Sequence, residues 1–360
     1  MGLAADAVAG FGFLGSGVWR RMGKTFNRPI MLRTLLLSLA TLVMLLSSIW
    51  ALLALWYQAP GRWLWCGLWL LGLAGCGYWL WTDQSWWQAL LGYLLLFTLL
   101  MLWWAGIKPS HQRDWADDLA HITTGEIERN RVRLDNVRNF EWRSTRDYDI
   151  RWESREYDLR RLQSVDMITS YWGLSSIAHV LVSFGFDDGE QVAFSVEIRR
   201  ESHESFSEVG GFFKQFELSI IAADERDIVR VRSNVRNEDL WLYRINLAPA
   251  EAQELFRSFV RQANRLAEHP RFYHTVTGNC TTIVFSMMQK IVEGLPLDHR
   301  LLLTGYLPAY VHEVGGMTPG VSLQELQRRG RITQRARDAG DDPQFSALIR
   351  QGVPGWERFR

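Results

Sequence analysis

The sequence predicts an α+β protein in two unlike parts: three N-terminal transmembrane helices, then one polar domain built around a mainly antiparallel sheet. Three observations predict it. Up to Ile107 the chain carries only six of its 40 basic and two of its 39 acidic residues. Three uncharged apolar runs fill that same region, and beyond it come β-branched strands and two amphipathic helices. The net charge of +1 therefore averages a membrane part with a polar part that holds 34 basic and 37 acidic residues. This distribution excludes a wholly soluble chain and a polytopic transporter. The polar part has no basic excess, so it lacks the footprint that nucleic-acid binding needs. The division predicted is an N-terminal segment over residues 1–33, an anchor over 34–107 and a domain over 108–360.

The N-terminal segment contains Gly10, Gly12 and Gly15 in GFGFLG, which fits the spacing G-x-G-x-x-G. No strand precedes the glycines, no acidic residue follows about 20 positions later, and an apolar run arrives where a βαβ unit would have to be, so a dinucleotide site is rejected.

The apolar runs are Thr34 to Tyr57, Trp63 to Trp81 and Trp86 to Ile107. Each is near the roughly 20 residues a helix needs to cross about 30 Å of hydrocarbon. The connections Gln58 to Arg62 and Thr82 to Ser85 are short enough to force antiparallel neighbours. Twelve of the 18 tryptophans precede residue 108, many at run ends (Trp56, Trp63, Trp81, Trp86, Trp103, Trp104), where amphipathic rings favour the headgroup zone. Five basic residues precede the first run, one lies in the first connection and none in the second. That bias predicts a cytoplasmic N-terminus in a bacterial inner membrane, with everything after Lys108 periplasmic. The first run is too long and too far from the start to be a cleaved signal peptide, and reads as a retained anchor.

In the domain, Arg131 to Trp142 and Trp152 to Leu159 read as strands. The clearest element is a hairpin, Ile177 to Phe186 and Gln191 to Arg199, around Asp187-Asp188-Gly189. Further strands are expected at Glu217 to Ala222, Asp227 to Ser233 and Leu240 to Ile245. Pro249 opens a helix whose apolar stripe (Leu255, Phe256, Phe259, Val260, Ala263, Leu266) stops before Pro270. A second helix is expected from Cys280 to Glu293, ended by Gly294 and capped by Asn279 within Thr277-Gly278-Asn279.

Cys66 and Cys76 lie in the second span, so Cys280 is the domain's only cysteine and has no disulfide partner there. An unpaired thiol in an oxidising compartment is either buried or used. At a helix N-terminus the dipole and unsatisfied N–H groups stabilise a thiolate and can supply oxyanion donors. Asn279-Cys280-Thr281 also fits the N-glycosylation triplet, but against a core helix it reads as a capped turn.

A thiolate nucleophile needs a base, and all eight histidines lie in the domain. His179 stands in the middle of an otherwise apolar strand. A three-residue loop sets Phe186 opposite Glu190, and that register sets His179 opposite Glu197, within cross-strand reach. The carboxylate can hold the imidazole tautomer and support its charged form. A two-residue loop would put Val180 there instead. His274, six residues before Cys280, is the rival base but lacks a fixed carboxylate. His312-Glu313 has no second histidine at H-E-x-x-H spacing, so neither a metal nor a cofactor is expected.

A strand histidine followed about 100 residues later by a helix-N-terminal cysteine resembles circularly permuted papain-like folds of the NlpC/P60 and lecithin-retinol-acyltransferase-like groups. More specifically, VRNFEWRS, SIAHVLVSFGFDDG, SVEIRRE and YHTVTGNCTT resemble signature blocks of the bacterial periplasmic domain family typified by the lipoprotein N-acyltransferase Lnb. The resemblance covers most of the stretch from Lys108 to about Tyr310; the three-helix anchor departs from it. It implies that Cys280 and His179 are a catalytic pair; the hairpin register adds Glu197 to orient His179, and Asn279, Thr281, Tyr273 and Trp172 are the candidate oxyanion or substrate contacts. It implies a fatty acyl donor, a phospholipid or diacylglyceryl ester, and a lipoprotein N-terminus as acceptor. Two other classes stay open: a cell-wall cysteine peptidase or amidase, and a non-catalytic envelope assembly module in which Cys280 is buried away from His179.

Overall fold

The computed structural model describes residues 28–82 and 86–356. The glycine motif at Gly10 to Gly15, and with it Arg20, Arg21 and Lys24, lies outside the described residues. Contacts divide the chain into two units, one ending at Ala105 and one running from Gly106.

The first unit holds three helices, α1 (Arg28–Gln58), α2 (Arg62–Thr82) and α3 (Trp86–Gly106). Each is long and apolar enough to cross a membrane. Helix α1 begins earlier than the apolar run, taking in Arg33, because an arginine at a span end can extend its charge to the interface. Polar groups inside such a bundle need internal partners. Tyr93 accordingly donates from its hydroxyl to the Met44 carbonyl at 3.0 Å and shares hydrogen bonds with Ser47 and Ser48. At the first connection the Arg62 guanidinium covers the Trp56 ring at 4.4 Å, and Trp56 meets Trp63 edge to face.

The second unit is built on strands β1 (Thr124–Glu128), β2 (Arg131–Arg138), β3 (Glu141–Trp142), β4 (Tyr148–Asp149), β5 (Trp152–Asp158), β6 (Leu162–Tyr171), β7 (His179–Phe186), β8 (Gln191–Arg199), β9 (Glu217–Ala223) and β10 (Asp239–Arg244). Eight form one sheet in the order β1-β2-β9-β8-β7-β6-β10, with β5 also on β2, and β3 pairs with β4 apart. All pairings are antiparallel except a single parallel bridge, Arg138 to Ala223. The helices are α4 (Glu225–Arg230), α5 (Pro249–Glu268), α6 (Cys280–Met288), α7 (Leu307–Glu313), α8 (Leu323–Gly330), α9 (Thr333–Ala339) and α10 (Phe345–Arg350).

The sheet is buried on both faces. On one face Val182, Phe184, Phe194 and Ile220 pack on the apolar stripe of α5. There Phe184 and Phe256 meet edge to face at 5.0 Å and Phe194 stacks on Phe259 at 5.0 Å. On the other face Leu181, Ala193 and Ile221 meet α4, α9 and α10. That second face also holds buried ion pairs: Arg138 with Asp227, and Arg350 with both Asp166 and Glu225.

Three expectations are corrected here. Asp227 to Ser233 is not a strand: Asp224 caps α4 by accepting from the Arg226 N–H, and a π-helical turn follows over Val231–Val235. The alternating DIVRVRS pattern is instead a helix whose Asp227 is buried against Arg138. Arg131 to Trp142 is broken, because Asn136 adopts a left-handed φ of 61° at a bulge in β2 and the chain turns off before Phe140. Helix α6 stops at Met288 rather than Glu293, and the turn that follows ends at Gly294 with φ +79°.

Candidate active site

The β7–β8 ladder pairs Leu181 with Ser195 through to Gly185 with Gln191, and the Phe186 N–H donates to the Glu190 carbonyl at 2.9 Å. This is the three-residue-loop register. Continued two residues past the ladder's end, it sets His179 against Glu197. Period-2 geometry places His179, Ser195 and Glu197 on the same face. His179 Nε2 lies 3.2 Å from Glu197 Oε1 and 2.6 Å from Ser195 Oγ, and the Ser195 hydroxyl donates to the same carboxylate oxygen at 2.7 Å.

Cys280 opens α6 because its neighbour makes a strong cap. Asn279 Oδ1 accepts from the N–H groups of Thr281 (3.0 Å) and Thr282 (2.8 Å), its side-chain amide donates to the Thr275 carbonyl at 2.7 Å, and its own N–H donates to Thr282 Oγ1 at 3.0 Å. Asn279 is buried, with its amide engaged, and is not presented as a glycosylation site. The cap also takes the Thr281 N–H, which is thereby withdrawn from any oxyanion role.

The Cys280 thiol is buried within hydrogen-bonding reach of the His179 imidazole and receives the Val180 backbone N–H. Thr281 Oγ1 lies 3.9 Å from the sulfur. Burial favours the neutral thiol, but the hydrogen bond and charge of His179, with the Val180 amide, outweigh it and lower the Cys280 pKa. Burial likewise opposes a charged imidazole, yet the Glu197 carboxylate overcomes it, and His179 is pushed up to about 9. Glu197 is held well below the usual carboxylate range despite burial, by His179 and Arg232. These directions all favour charge within the array: on the imidazole, on the carboxylate behind it, and on the sulfur relative to an ordinary thiol.

Two members of this array were not found from sequence. Arg232, on the π-helical turn after α4, donates to Glu197 Oε1 at 2.8 Å. Ser195 bridges His179 and Glu197. Ser195 carried a legible signal, since it stands on the His179 face two residues from Glu197; Arg232 did not, because its segment read as a strand.

The array opens into a cleft of about 400 Å³. Ile177, Val196, Ile198 and Leu302 supply apolar lining, while Asp118, Arg200 and Arg236 form a charged wall. Trp172, half exposed, lines the mouth and meets Phe206 edge to face at 6.3 Å. Tyr273 also lines the cleft, its phenol pushed up first by burial and then by the negative charge of Cys280 and Glu197. His274 is not placed as a base, because its Nδ1 accepts from the N–H groups of Val276 (3.3 Å) and Thr277 (3.2 Å) and so closes the turn before Asn279. Among the described residues no group of three or more His, Cys, Asp or Glu side chains is arranged to hold a metal ion.

Fold and site together define an α+β domain that follows three apolar helices and carries, at one end of its sheet, a cysteine–histidine–carboxylate array whose cysteine is buried. Residues 148–309 match the family described as the Lnb N-terminal periplasmic domain. No curated protein and no solved structure matches the chain. The match spans less than half of the chain, but it includes His179, Glu197 and Cys280. With the three apolar helices it fits a membrane protein carrying a periplasmic domain.

Proposed function

We propose that the chain is a membrane-anchored thiol acyltransferase with a periplasmic, permuted papain-like catalytic domain. The observation that carries this reading is the Cys280–His179–Glu197 array, in which a strand histidine precedes a buried cysteine at a helix N-terminus. Cys280 attacks the carbonyl carbon of a fatty acyl ester, a phospholipid or diacylglyceryl lipid. The tetrahedral intermediate collapses as His179 protonates the departing alkoxide, leaving a thioester on Sγ. An amine, on this reading a lipoprotein N-terminus, then attacks the thioester carbonyl while His179 takes its proton and the thiolate departs. Glu197, itself held by Ser195 and Arg232, orients and charges His179.

A lipid substrate is supported by the apolar lining of the cleft. It is also supported by a second cavity of about 300 Å³, apolar and lined in part by Val180, Val182, Val284, Phe285 and Leu307. Val180 and Thr281 flank the sulfur and also line that cavity, so an aliphatic chain has apolar surface beside the reacting atom. The charged wall of Asp118, Arg200 and Arg236 favours the second reading, a cysteine peptidase or amidase acting on cell-wall peptides by the same chemistry. The assembly-module reading required Cys280 apart from His179, and the two lie within hydrogen-bonding reach.

The test is a covalent adduct. Protein purified in lipid should carry a hydroxylamine-labile mass equal to a fatty acyl group, absent from Cys280→Ala. His179→Ala should reduce its formation by about 10² to 10⁴, the usual contribution of general acid–base catalysis. Full cellular activity of Cys280→Ala would refute the thiol mechanism, and a stem-peptide adduct would promote the peptidase.

A further inference from the structure

We infer that the mouth of the cleft is a bilayer-docking surface, which seats three apolar loops in the membrane interface and opens the site directly onto lipid. The inference concerns an interaction surface and stands whether or not Cys280 transfers acyl groups.

Most of the large apolar side chains that the domain exposes among its described residues lie on segments bordering the cleft. After β6 come Trp172, 48% exposed, and Leu174, 73% exposed. The loop after β8 presents Phe206, 52% exposed, with Val209 and Phe212. The segment before α7 presents Leu302, Leu303 and Tyr306. Trp172, Phe206 and Leu302 line the cleft directly. A soluble monomer rarely gathers so many apolar groups in one place unless something covers them.

The loops are fastened to one another, so the rim is a preformed surface. The Gly305 N–H donates to the Ser176 carbonyl at 2.9 Å and Tyr171 donates to the Gly305 carbonyl at 2.8 Å. Gly305 packs so tightly on the backbone of Ser175 and Ser176 that a Cβ would fall 2.0 Å from the Ser175 carbonyl oxygen. Thr304 accepts from the Ala178 N–H at 2.8 Å, directly before His179. Thr275 donates to the Glu208 carbonyl at 3.1 Å, which ties the Phe206 to Phe212 loop to the turn before Cys280.

The occupant follows from where the chain enters the domain. Ile107, one residue past the end of α3, accepts at its carbonyl from Lys214 Nζ at 3.3 Å, and the Ser110 N–H donates to Glu217 Oε1 at 3.1 Å. Lys214 lies two residues after Phe212, and Glu217 begins β9. Strands β7 and β9 run in the same direction, since each is antiparallel to β8. Hence β9 starts at the same end of the sheet as His179, and residues 107–110, which directly follow the third apolar helix in the sequence, lie beside the apolar rim. Tryptophan, tyrosine and phenylalanine beside aliphatic side chains are the composition that settles at a headgroup boundary.

The experiment uses the full chain with Cys66→Ala, Cys76→Ala and Cys280→Ser, reconstituted in vesicles of phosphatidylethanolamine and phosphatidylglycerol. A polarity-sensitive fluorophore is attached at Leu174→Cys, Phe206→Cys or Leu303→Cys, each an exposed position. Ile150→Cys is the control: it is exposed and apolar, but it adjoins β5, whose Trp152 pairs with Arg138 beside Ala223, the opposite end of β9. Rim labels should shift to the blue and be quenched by lipids carrying a nitroxide near the headgroup, while the Ile150 label should do neither. Rim labels as wet and unquenched as the control would overturn the inference. So would labels that shift to the blue without lipid quenching, which would mean that a protein, a partner or a second copy, covers the rim.

Discussion

His179 is charged because of its neighbours rather than its surroundings. Burial alone would discharge it, and Glu197 reverses the sign and pushes it up to about 9. The folded pKa lies above the ordinary histidine value of about 6.5, so the stability contributed by this contact is complete below about 6.5 and is lost as pH rises through about 9. On the proposed mechanism the general acid is lost over the same upper window, so the proposed acyl transfer should fall as pH passes about 9. Glu197→Gln removes the charge that sustains the imidazolium. His179 should then titrate lower, the Cys280 thiol higher, and iodoacetamide alkylation of Cys280 at pH 7 should slow. The pH–rate profile of alkylation should move toward higher pH; an unmoved profile would show that Glu197 does not support the pair. The register that brings these residues together was legible in the hairpin itself. Arg232 was not, because a buried arginine on an irregular turn leaves no periodic signal.

Among the elements, those read correctly owe their shape to one dominant local cause. Helix α5 has a Pro start and a continuous apolar stripe, and the β7–β8 hairpin has a turn that fixes its register. Strand β6 was missed although it is central, because it is buried on both faces and carries Ser164, Asp166, Thr169 and Ser170 inside, against the apolar alternation a strand is recognised by. Asp166 and Ser170 make sense only with partners distant in sequence: Arg350 at 2.9 Å for the first, Glu238 for the second. The same long-range pairing disguised α4, whose Asp227 receives Arg138, the Phe140 N–H and the Trp142 indole. Helix α6 depends on a local device that the sequence did announce, the Asn279 cap. Asn279→Ala should cost about 1–2 kcal/mol, the upper part of the range for a lost N-cap, because the amide is buried as well. Thermal denaturation measures that loss. Asn279→Asp keeps the accepting oxygen but sets a second acceptor against the Thr275 carbonyl, so it should recover only part of the stability; an Asn279→Ala variant no less stable than the wild type would mean that the cap contributes little.

At the scale of the whole molecule, the charge asymmetry that divides the chain also predicts its orientation. Basic residues near the ends of spans are retained on the cytoplasmic side, and here five precede the first span while one lies in the first connection and none in the second. On that bias we propose a cytoplasmic N-terminus, from which three crossings would place the domain in the periplasm, and its chemistry is compatible with that placement. Its single cysteine has no partner with which to form an internal disulfide, and Cys280 is buried, 8% exposed, with its thiol engaged by His179 and Val180. Alkaline phosphatase fused after Trp115 should therefore be active, and a reporter that works only in the cytoplasm should be silent at the same junction. Replacing Arg20, Arg21 and Lys24 with glutamate weakens the bias at its source, so the phosphatase signal should fall and the cytoplasmic signal rise in the same cells. The reverse pattern in the unaltered chain would place the thiolate in a reducing compartment, away from periplasmic acceptors. The proposed donor and acceptor would then fail together, even if Cys280 and His179 still formed a reactive pair.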